Sequence, residues 1–263
     1  MLTYYLTVYR TLLSNSFSYE AQYRRDTWVK LITNLLWFAL LFITIEIIFS
    51  QTKSLAGWSK EMVYLLTLWW IMADEAWVTL FGTNLPALAE LIVRGDLDAI
   101  LTKPLPPLFL VSLKIFLVRG FYRLLLEGIL FIVLFWKFDF NITPTRVLLA
   151  GLLFMATIVI NYALSLLANT LNFWWLRLDN INELVGTLHG LGRFPLGIWP
   201  KTIKIILLTA IPIGFTAYVP VAALTGQLAW YGILYSFVFA GFLFWLAVRF
   251  WNFALKRYSS ASS

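Results

Sequence analysis

The feature that most restricts this chain is a run of 30 residues without a charged side chain, Val147 to Leu176. An α-helix needs about 20 apolar residues to cross about 30 Å of hydrocarbon. Leu31 to Ser50 is a second such run with the single charge Glu46, and Leu228 to Val248 is a third with none. Because helices satisfy their own backbone hydrogen bonds, these runs predict an all-α, polytopic membrane protein.

Composition agrees with a membrane setting. Hydrophobic residues make up 61% of the chain and charged residues 13%, about half of the roughly 25% usual in soluble domains. The 18% of aromatic residues is typical of helices anchored at two lipid–water boundaries. The absence of cysteine excludes disulfides, thiolate nucleophiles and cysteine-ligated metals.

The net charge of +7 indicates a preference for anionic surfaces. The basic residues are dispersed between apolar runs and form no contiguous stripe, which binding along a nucleic-acid backbone would require. We therefore expect membrane lipids, and no nucleic acid, as the anionic partner.

The chain is predicted to form one transmembrane domain, residues 1–263, which charges and turn residues divide into several segments. Residues 1–30 contain a Tyr-rich, amphipathic stretch, Thr3 to Tyr23, and then the basic residues Arg24, Arg25 and Lys30, which together predict a helix in the membrane interface. Six membrane helices are predicted over 31–50, 61–84, 115–136, 147–176, 184–200 and 227–251. A straight helix is not expected over 184–200, because Pro195 and Pro200 interrupt it.

Three further segments connect these helices. Residues 86–114 are charged and are predicted to lie in the cytoplasm, and Arg177 to Glu183 is predicted to be a turn on the same side. Residues 201–226 are apolar but contain Pro212, Gly214 and Pro220, which predicts a re-entrant segment from the outer side. With both termini inside, 11 of the 20 Lys and Arg residues fall on the cytoplasmic side and 7 outside, the sign of the positive-inside rule.

Motifs for catalysis are missing from the chain. None of the 14 glycines begins a G-x-x-x-x-G-K-[ST] loop, which nucleotide hydrolases use to hold phosphates. The serine hydrolase pattern G-x-S-x-G is absent too, and one histidine cannot form a histidine-rich metal site. We expect no enzyme activity, no metal site and no cofactor in this chain.

The most specific motif lies in Leu91 to Leu110, LIVRGDLDAILTKPLPPLFL. A glycine separates an amphipathic turn from an acidic pair, and prolines then stop the helix. We call Leu91 to Pro107 the knuckle. From the residues alone, it is either an element that receives a push from a cytoplasmic partner or an ordinary solvated loop.

This motif resembles the Arg-Ser/Gly-Gly-x-Leu-Asp…Leu-x-x-Pro-Leu-x-Pro-Leu pattern of a bacterial subfamily of ABC-2 type ATP-binding-cassette exporter permeases. The matching residues are Arg94, Gly95, Leu97, Asp98, Leu101, Pro104, Leu105, Pro107 and Leu108. Arg193 to Gly226 looks like the proline-rich region of that family, and ALKRYSSAS resembles its C-terminal motif, with Ala254 in place of the usual Gly. The paired acids Asp74 and Glu75 are not part of the pattern.

The resemblance implies a permease of a bacterial inner membrane that works with a second permease chain, as a homodimer or a heterodimer. ATP and Mg would then bind to separate ATPase subunits. The residues expected to couple the chain to these subunits are Arg94, Gly95, Asp96, Leu97, Asp98, Leu101, Pro104 and Pro107, with charged contacts from Arg94, Asp96 and Asp98.

Charged residues within the predicted membrane helices are a further set of candidates, because such groups are usually paired or near water. They are Asp74, Glu75, Arg119, Arg123 and Glu127, to which we add the polar pair His189 and Arg193. Arg123 and Glu127 are spaced to pair on one helix face, and Arg119 is placed to meet Asp74 or Glu75. A structural ion-pair cluster is favoured over a proton relay, and a packing role for His189 over a polar path.

Three alternatives to an exporter permease remain open at this stage. Asp74, Glu75 and Glu127 could serve as proton sites of an ion-coupled secondary transporter, which needs no ATPase. An intramembrane enzyme or a membrane scaffold without transport would also fit the composition. The apolar, aromatic interior favours a lipidic or amphipathic cargo for a transporter.

Overall fold

The computed structural model describes residues 2–22, 24–138, 140, 143–175 and 179–258. The start of the predicted turn at Arg177 to Glu183 and the end of the motif ALKRYSSAS lie outside these residues. The described part contains helices and turns without a β-strand. Its helices are α1 (Leu2–Gln22), α2 (Arg24–Gln51), α3 (Lys60–Trp77), α4 (Leu88–Arg94), α5 (Asp96–Leu101), α6 (Pro107–Leu113), α7 (Val118–Lys137), α8 (Pro144–Thr170), α9 (Asp179–Gly190), α10 (Lys201–Ile206), α11 (Tyr218–Leu224) and α12 (Trp230–Leu255).

Three helical stretches in the described ranges are long and apolar enough to cross a membrane: Trp28–Gln51, Pro144–Phe173 and Trp230–Leu255. They confirm the prediction of an all-α polytopic membrane protein. Helix α3 continues through a π-helical turn, Val78–Gly82, and the two together have 23 residues, about 35 Å of helix. Helix α7 has 20 residues. Both are long enough to cross, but they carry the buried charges.

Helices α8 and α12 pack against each other along most of their lengths and form the centre of the bundle. The face of α12 toward α8 is marked by Ala240, Ala247 and Ala254, seven residues apart and all buried. Small side chains let two helix backbones approach closely. Inside a membrane, where the hydrophobic effect does not drive helices together, such close van der Waals packing holds them in contact. Larger side chains of α8, including Leu153, Ile160 and Leu166, fill the core beside them.

Contacts between helix ends define two ends of the bundle. At one, which we call the knuckle end, the π-helical turn leads into α4, and Asn84 binds both the N–H and the carbonyl oxygen of Ile115 just before α7. At the other, the far end, Lys60 and Tyr64 of α3 bind Glu46 of α2. The chain therefore alternates between the two ends along α2, α3, α7, α8 and α12.

Both described chain ends lie at the knuckle end. Helix α1 reaches the start of α7, where the Phe116 N–H donates to Ser16 Oγ over 3.2 Å. The last turns of α12 pack beside the end of α8, with Trp251 edge-on to Phe173 at 5.5 Å between ring centroids. The knuckle and both described termini thus share one end of the bundle.

Residues 184–200, the predicted membrane segment that prolines interrupt, do not form one continuous helix. Helix α9 ends at Gly190, and two 3-10 turns follow, Leu191–Arg193 and Leu196–Ile198. Pro195 has an extended conformation between them and cannot donate to a helical ladder. The chain reaches the far end here, where Gly197 lies against Ala56 of the α2–α3 loop.

Residues 201–226 leave the far end and return to it. Their deepest point is Phe215, whose carbonyl oxygen accepts a hydrogen bond from Thr157, halfway along α8, over 2.7 Å. Helix α11 then runs back, and Gly226 lies against Arg146 at the start of α8. The irregular backbone at the tip is buried in protein, as a non-helical segment at membrane depth requires.

The contact between α3 and α7 depends on Gly120. A Cβ atom at this position would collide with Thr79 Oγ1 and lie 2.7 Å from Glu75 Oε1. We expect Gly120→Ala to destabilise the protein by about 1–3 kcal/mol, because the two helices would have to separate. Tryptophan fluorescence during thermal unfolding in detergent measures the effect.

Gly128→Ala is the matched control, since Gly128 lies on the same helix and its Cβ would meet nothing within 4 Å. We expect this variant to unfold at or above the temperature of the unmodified protein. Equal melting temperatures for both alanine variants would contradict the close packing at Gly120.

Candidate functional site

The knuckle consists of two short helices joined by one left-handed residue. Helix α4 ends at Arg94, Gly95 has φ 76°, and α5 begins at Asp96. Residues other than glycine adopt this left-handed backbone conformation only at a cost of about 1–2 kcal/mol. Gly95 therefore sets the sharp angle between α4 and α5.

The inner face of the knuckle is anchored in the core between α8 and α12. Leu97 is completely buried, Ile92 and Ile100 are nearly so, and Leu88, which precedes the knuckle in α4, is completely buried too. All four belong to the same cluster as Leu166 and Trp251. A displacement of the knuckle must therefore disturb the packing of the two central helices.

The outer face of the knuckle is open and charged. Arg94, Asp96, Lys103 and Pro104 are exposed, and Leu101 is 37% exposed. Arg94 pairs with Glu90 one turn earlier, but a surface pair of this kind contributes little. Arg94 thus remains able to bind another group.

The remaining coupling candidates have other positions. Leu97 is an anchor and has no exposed surface, whereas Asp98 is half-buried. Pro107 starts α6 at its first turn, where a proline is tolerated. Ser112 of α6 then makes a 2.8 Å hydrogen bond with Tyr162 of α8, which fixes the exit of the knuckle to the same central helix.

Asn84 is a residue that sequence reasoning missed. Its side chain donates to the carbonyl oxygens of Leu80 and Ile115 and accepts from the Ile115 N–H, all within 3.1 Å. It thereby joins the start and the end of the segment that contains the knuckle. A buried asparagine just before Pro86 was the available signal, but the partner is 31 residues away.

The charged cluster lies between α2, α3 and α7, near the knuckle end. Arg123 Nη2 is 2.7 Å from Glu75 Oε2 and donates to Asn34 Oδ1 over 3.2 Å. The predicted pairing of Arg123 with Glu127 on one helix face is wrong. Glu75 on the neighbouring helix takes the guanidinium, because α3 and α7 approach closely at Gly120.

The other members of the cluster are less well matched. Glu127 is fully buried, and neither of its carboxyl oxygens has a hydrogen-bond partner among the described residues. Within the same ranges, Arg119 forms no ion pair with Asp74 or Glu75, contrary to expectation. It lines a cleft between α1 and α7 instead, together with Lys114 and Glu20.

His189 and Arg193 are separated by the end of α9. The His189 carbonyl oxygen accepts a hydrogen bond from Trp70 Nε1–H over 2.9 Å. The centroid of the His189 ring lies 6.0 Å from that of the Trp77 ring. Arg193 stacks over the ring of Phe194 at 5.0 Å. Their side chains belong to different turns and do not form the continuous polar path considered above.

No group of three or more His, Asp or Glu side chains suited to a metal ion occurs in the described part of the chain. The arrangement holds charges and helices in place, and the exposed charges at the knuckle are available for contact with another protein.

The ion pair between Arg123 and Glu75 can be tested by substitution. Arg123→Leu leaves Glu75 buried without its partner, and we expect a loss of about 3–5 kcal/mol in unfolding free energy. The double variant Arg123→Leu with Glu75→Leu should lose less stability than the single variant, since no unpaired charge remains.

Arg94→Leu is the exposed control and should change the unfolding free energy by under about 1 kcal/mol. Unfolding in mixed micelles checks this, and a double variant that is less stable than the single one would contradict it.

Comparison with known proteins adds the family. No curated protein matches the chain. The family model described as "ABC-2 family transporter protein" matches residues 35–262, from the middle of α2 to beyond α12. The chain therefore belongs to the ABC-2 transporter family.

Proposed function

We propose that this chain is one of two permease chains of an ATP-driven exporter, whose separate ATPase subunits bind the knuckle. Membership in the ABC-2 family makes it a membrane permease of ABC transport. The further proposal concerns the coupling: ATP and Mg bind to the partner subunits, and this chain supplies the path and the moving contact. The membrane is a bacterial inner membrane, with the knuckle end and both termini in the cytoplasm.

The observation that carries the proposal is the two-sided character of the knuckle. Its outer face exposes Arg94, Asp96 and Lys103, while its inner face is anchored by Leu97 in the α8–α12 core. A solvated loop would not bury three apolar side chains, Ile92, Leu97 and Ile100, in the core of a bundle. A rigid element with this anchor transmits a displacement to the helices that surround the path.

ATP can drive transport only if the ATPase subunits bind two states of the permease with different affinity. The knuckle could offer such a difference, since its buried side chains pack in the same core as α8 and α12, and a rearrangement of that core would displace its charged face. The buried side chains of Ile92 and Leu97, on either side of Gly95, hold α4 and α5 in the core, so that a push on α5 is not absorbed at the joint. The second permease chain is either a copy of this chain or a homologue.

One observation favours a second candidate function, ion-coupled transport without an ATPase. Glu127 is fully buried without an ion-pair partner among the described residues and lies close to the Arg123–Glu75 pair. The two functions differ in their partners, because only the exporter requires a stoichiometric nucleotide-binding subunit. The cross-linking experiment below distinguishes them.

Cross-linking tests the proposed contact. A photoreactive amino acid at Leu101, which is partly exposed, should form an adduct in native membranes with a protein that contains a G-x-x-x-x-G-K-[ST] loop and binds ATP. The same amino acid at Lys53, in the loop at the far end, should form no such adduct. Adducts with a nucleotide-binding protein from both positions, or from neither, would contradict the proposal.

Charge reversal tests the contribution of the exposed face. Asp96→Lys in the photoreactive Leu101 variant should reduce the adduct roughly tenfold, because charge complementarity steers such contacts. Lys53→Asp is the matched control at the far end and should leave the yield unchanged. An undiminished adduct with Asp96→Lys would remove this face from the proposed interface.

The orientation is tested by labelling with a membrane-impermeant maleimide. The chain has no cysteine, so Asp96→Cys and Lys53→Cys each create a unique target. In intact cells with the outer membrane permeabilised, Lys53→Cys should be labelled and Asp96→Cys only after lysis. The reverse pattern would place the knuckle on the outside and exclude an ATPase contact there.

A further inference from the structure

A cavity of about 610 Å³ lies between α8, α9, the tip of the re-entrant segment and α12. Its walls are almost entirely apolar and include Leu167 of α8, Leu188 of α9, Ile213 of the tip and Phe250 of α12. The volume lies in the range of about 300–1,000 Å³ that is typical of sites for small molecules.

His189 is the one strongly polar side chain among the described residues that line this cavity. It is only 4% exposed, and its Nε2 atom has no hydrogen-bond partner within the described part of the chain. A buried polar atom without a partner costs about 1–3 kcal/mol. A ligand that places a hydroxyl or carbonyl group at Nε2 would recover that cost.

A second apolar cavity provides the contrast. About 400 Å³ lie between α6, α8 and α12, lined by Leu108, Phe109 and Phe244. Its polar side chains, Ser112 and Tyr162, bind each other over 2.8 Å and leave no need for a polar ligand group. Of these two cavities, the His189 cavity combines apolar walls with a polar atom that has no partner among the described residues.

The depth of the His189 cavity is also informative. Leu164 and Leu167 belong to the half of α8 toward the knuckle end, and Phe250 lies in the same half of α12. The tip at Ile213 closes the cavity toward the far end, where Gly214 packs tightly against Leu196 and Leu208. Leu184 of α9 lines the cavity and is largely exposed, so the cavity opens sideways at α9.

We propose that this cavity binds an amphipathic molecule with a long apolar body and one hydrogen-bonding group, which lies at His189 Nε2. The apolar body occupies the space between α8, α9 and α12 and enters past Leu184. Calling this molecule the cargo rests on the proposed exporter function, but the binding itself does not.

Two photoreactive probes of equal length test the site: a diazirine-bearing long-chain alcohol and the corresponding hydrocarbon without the hydroxyl. With the purified chain in detergent, the alcohol should label residues 181–189 and 210–213 several-fold more than the hydrocarbon does. The difference should vanish in His189→Leu, since one buried hydrogen bond corresponds to roughly a five- to tenfold change in binding. His189→Gln, which keeps a hydrogen-bonding group, should retain part of it.

Tyr162→Phe is the matched control, because it removes a hydroxyl from the second cavity and leaves His189 untouched. It should keep the preference for the alcohol at residues 181–189. Each variant is compared with the unmodified chain by gel filtration and melting temperature, so that loss of fold is recognised. Equal labelling by both probes in the unmodified chain, or an unchanged preference in a folded His189→Leu variant, would overturn the proposal.

This experiment is independent of the ATPase contact. Failure of the probe preference with intact cross-linking from Leu101 would remove the ligand site and leave the exporter function. Loss of the cross-link with an intact probe preference would remove the exporter function and leave an amphipath-binding membrane protein.

Discussion

The contact between α8 and α12 is the interaction on which the other parts of the molecule depend. Ala240 and Ala247 of α12 lie in the core cluster that α8 and α12 share, and this core takes in the buried side chains of the knuckle. The tip of the re-entrant segment binds α8 at Thr157, and the His189 cavity has walls from both helices. A change in the α8–α12 packing would therefore reach the knuckle, the tip and the cavity together.

Inside a bilayer no water is present to bind backbone groups that lie outside regular helices, so these groups need hydrogen-bond partners within the protein. Around the tip, the Gly214 N–H donates to the carbonyl oxygen of Leu207, and the Phe215 carbonyl accepts from Thr157. At the knuckle end, Asn84 satisfies both backbone groups of Ile115 between two helices. Each break in the helical pattern thus has a specific polar partner, because an unsatisfied group would be costly there.

Distance along the chain separates what could be predicted from what could not. The long apolar runs, the proline stops and the glycine of the knuckle act over a few residues, so their effects could be anticipated. The pairing of Arg123 with Glu75, the role of Asn84 and the unpartnered Nε2 of His189 depend on residues from other helices. The predicted Arg123–Glu127 pair was wrong because the spacing of two residues along one helix does not reveal a closer partner, here Glu75, on the neighbouring helix.

The amino acids alone were sufficient for the all-α membrane class and for the family, since hydrophobicity and backbone preference are properties of each residue and its near neighbours. Folding in three dimensions was needed to show that Leu97 is an anchor and Asp96 a surface charge. The physical reason is that burial and pairing depend on how helices far apart in the chain pack together, which no local pattern specifies.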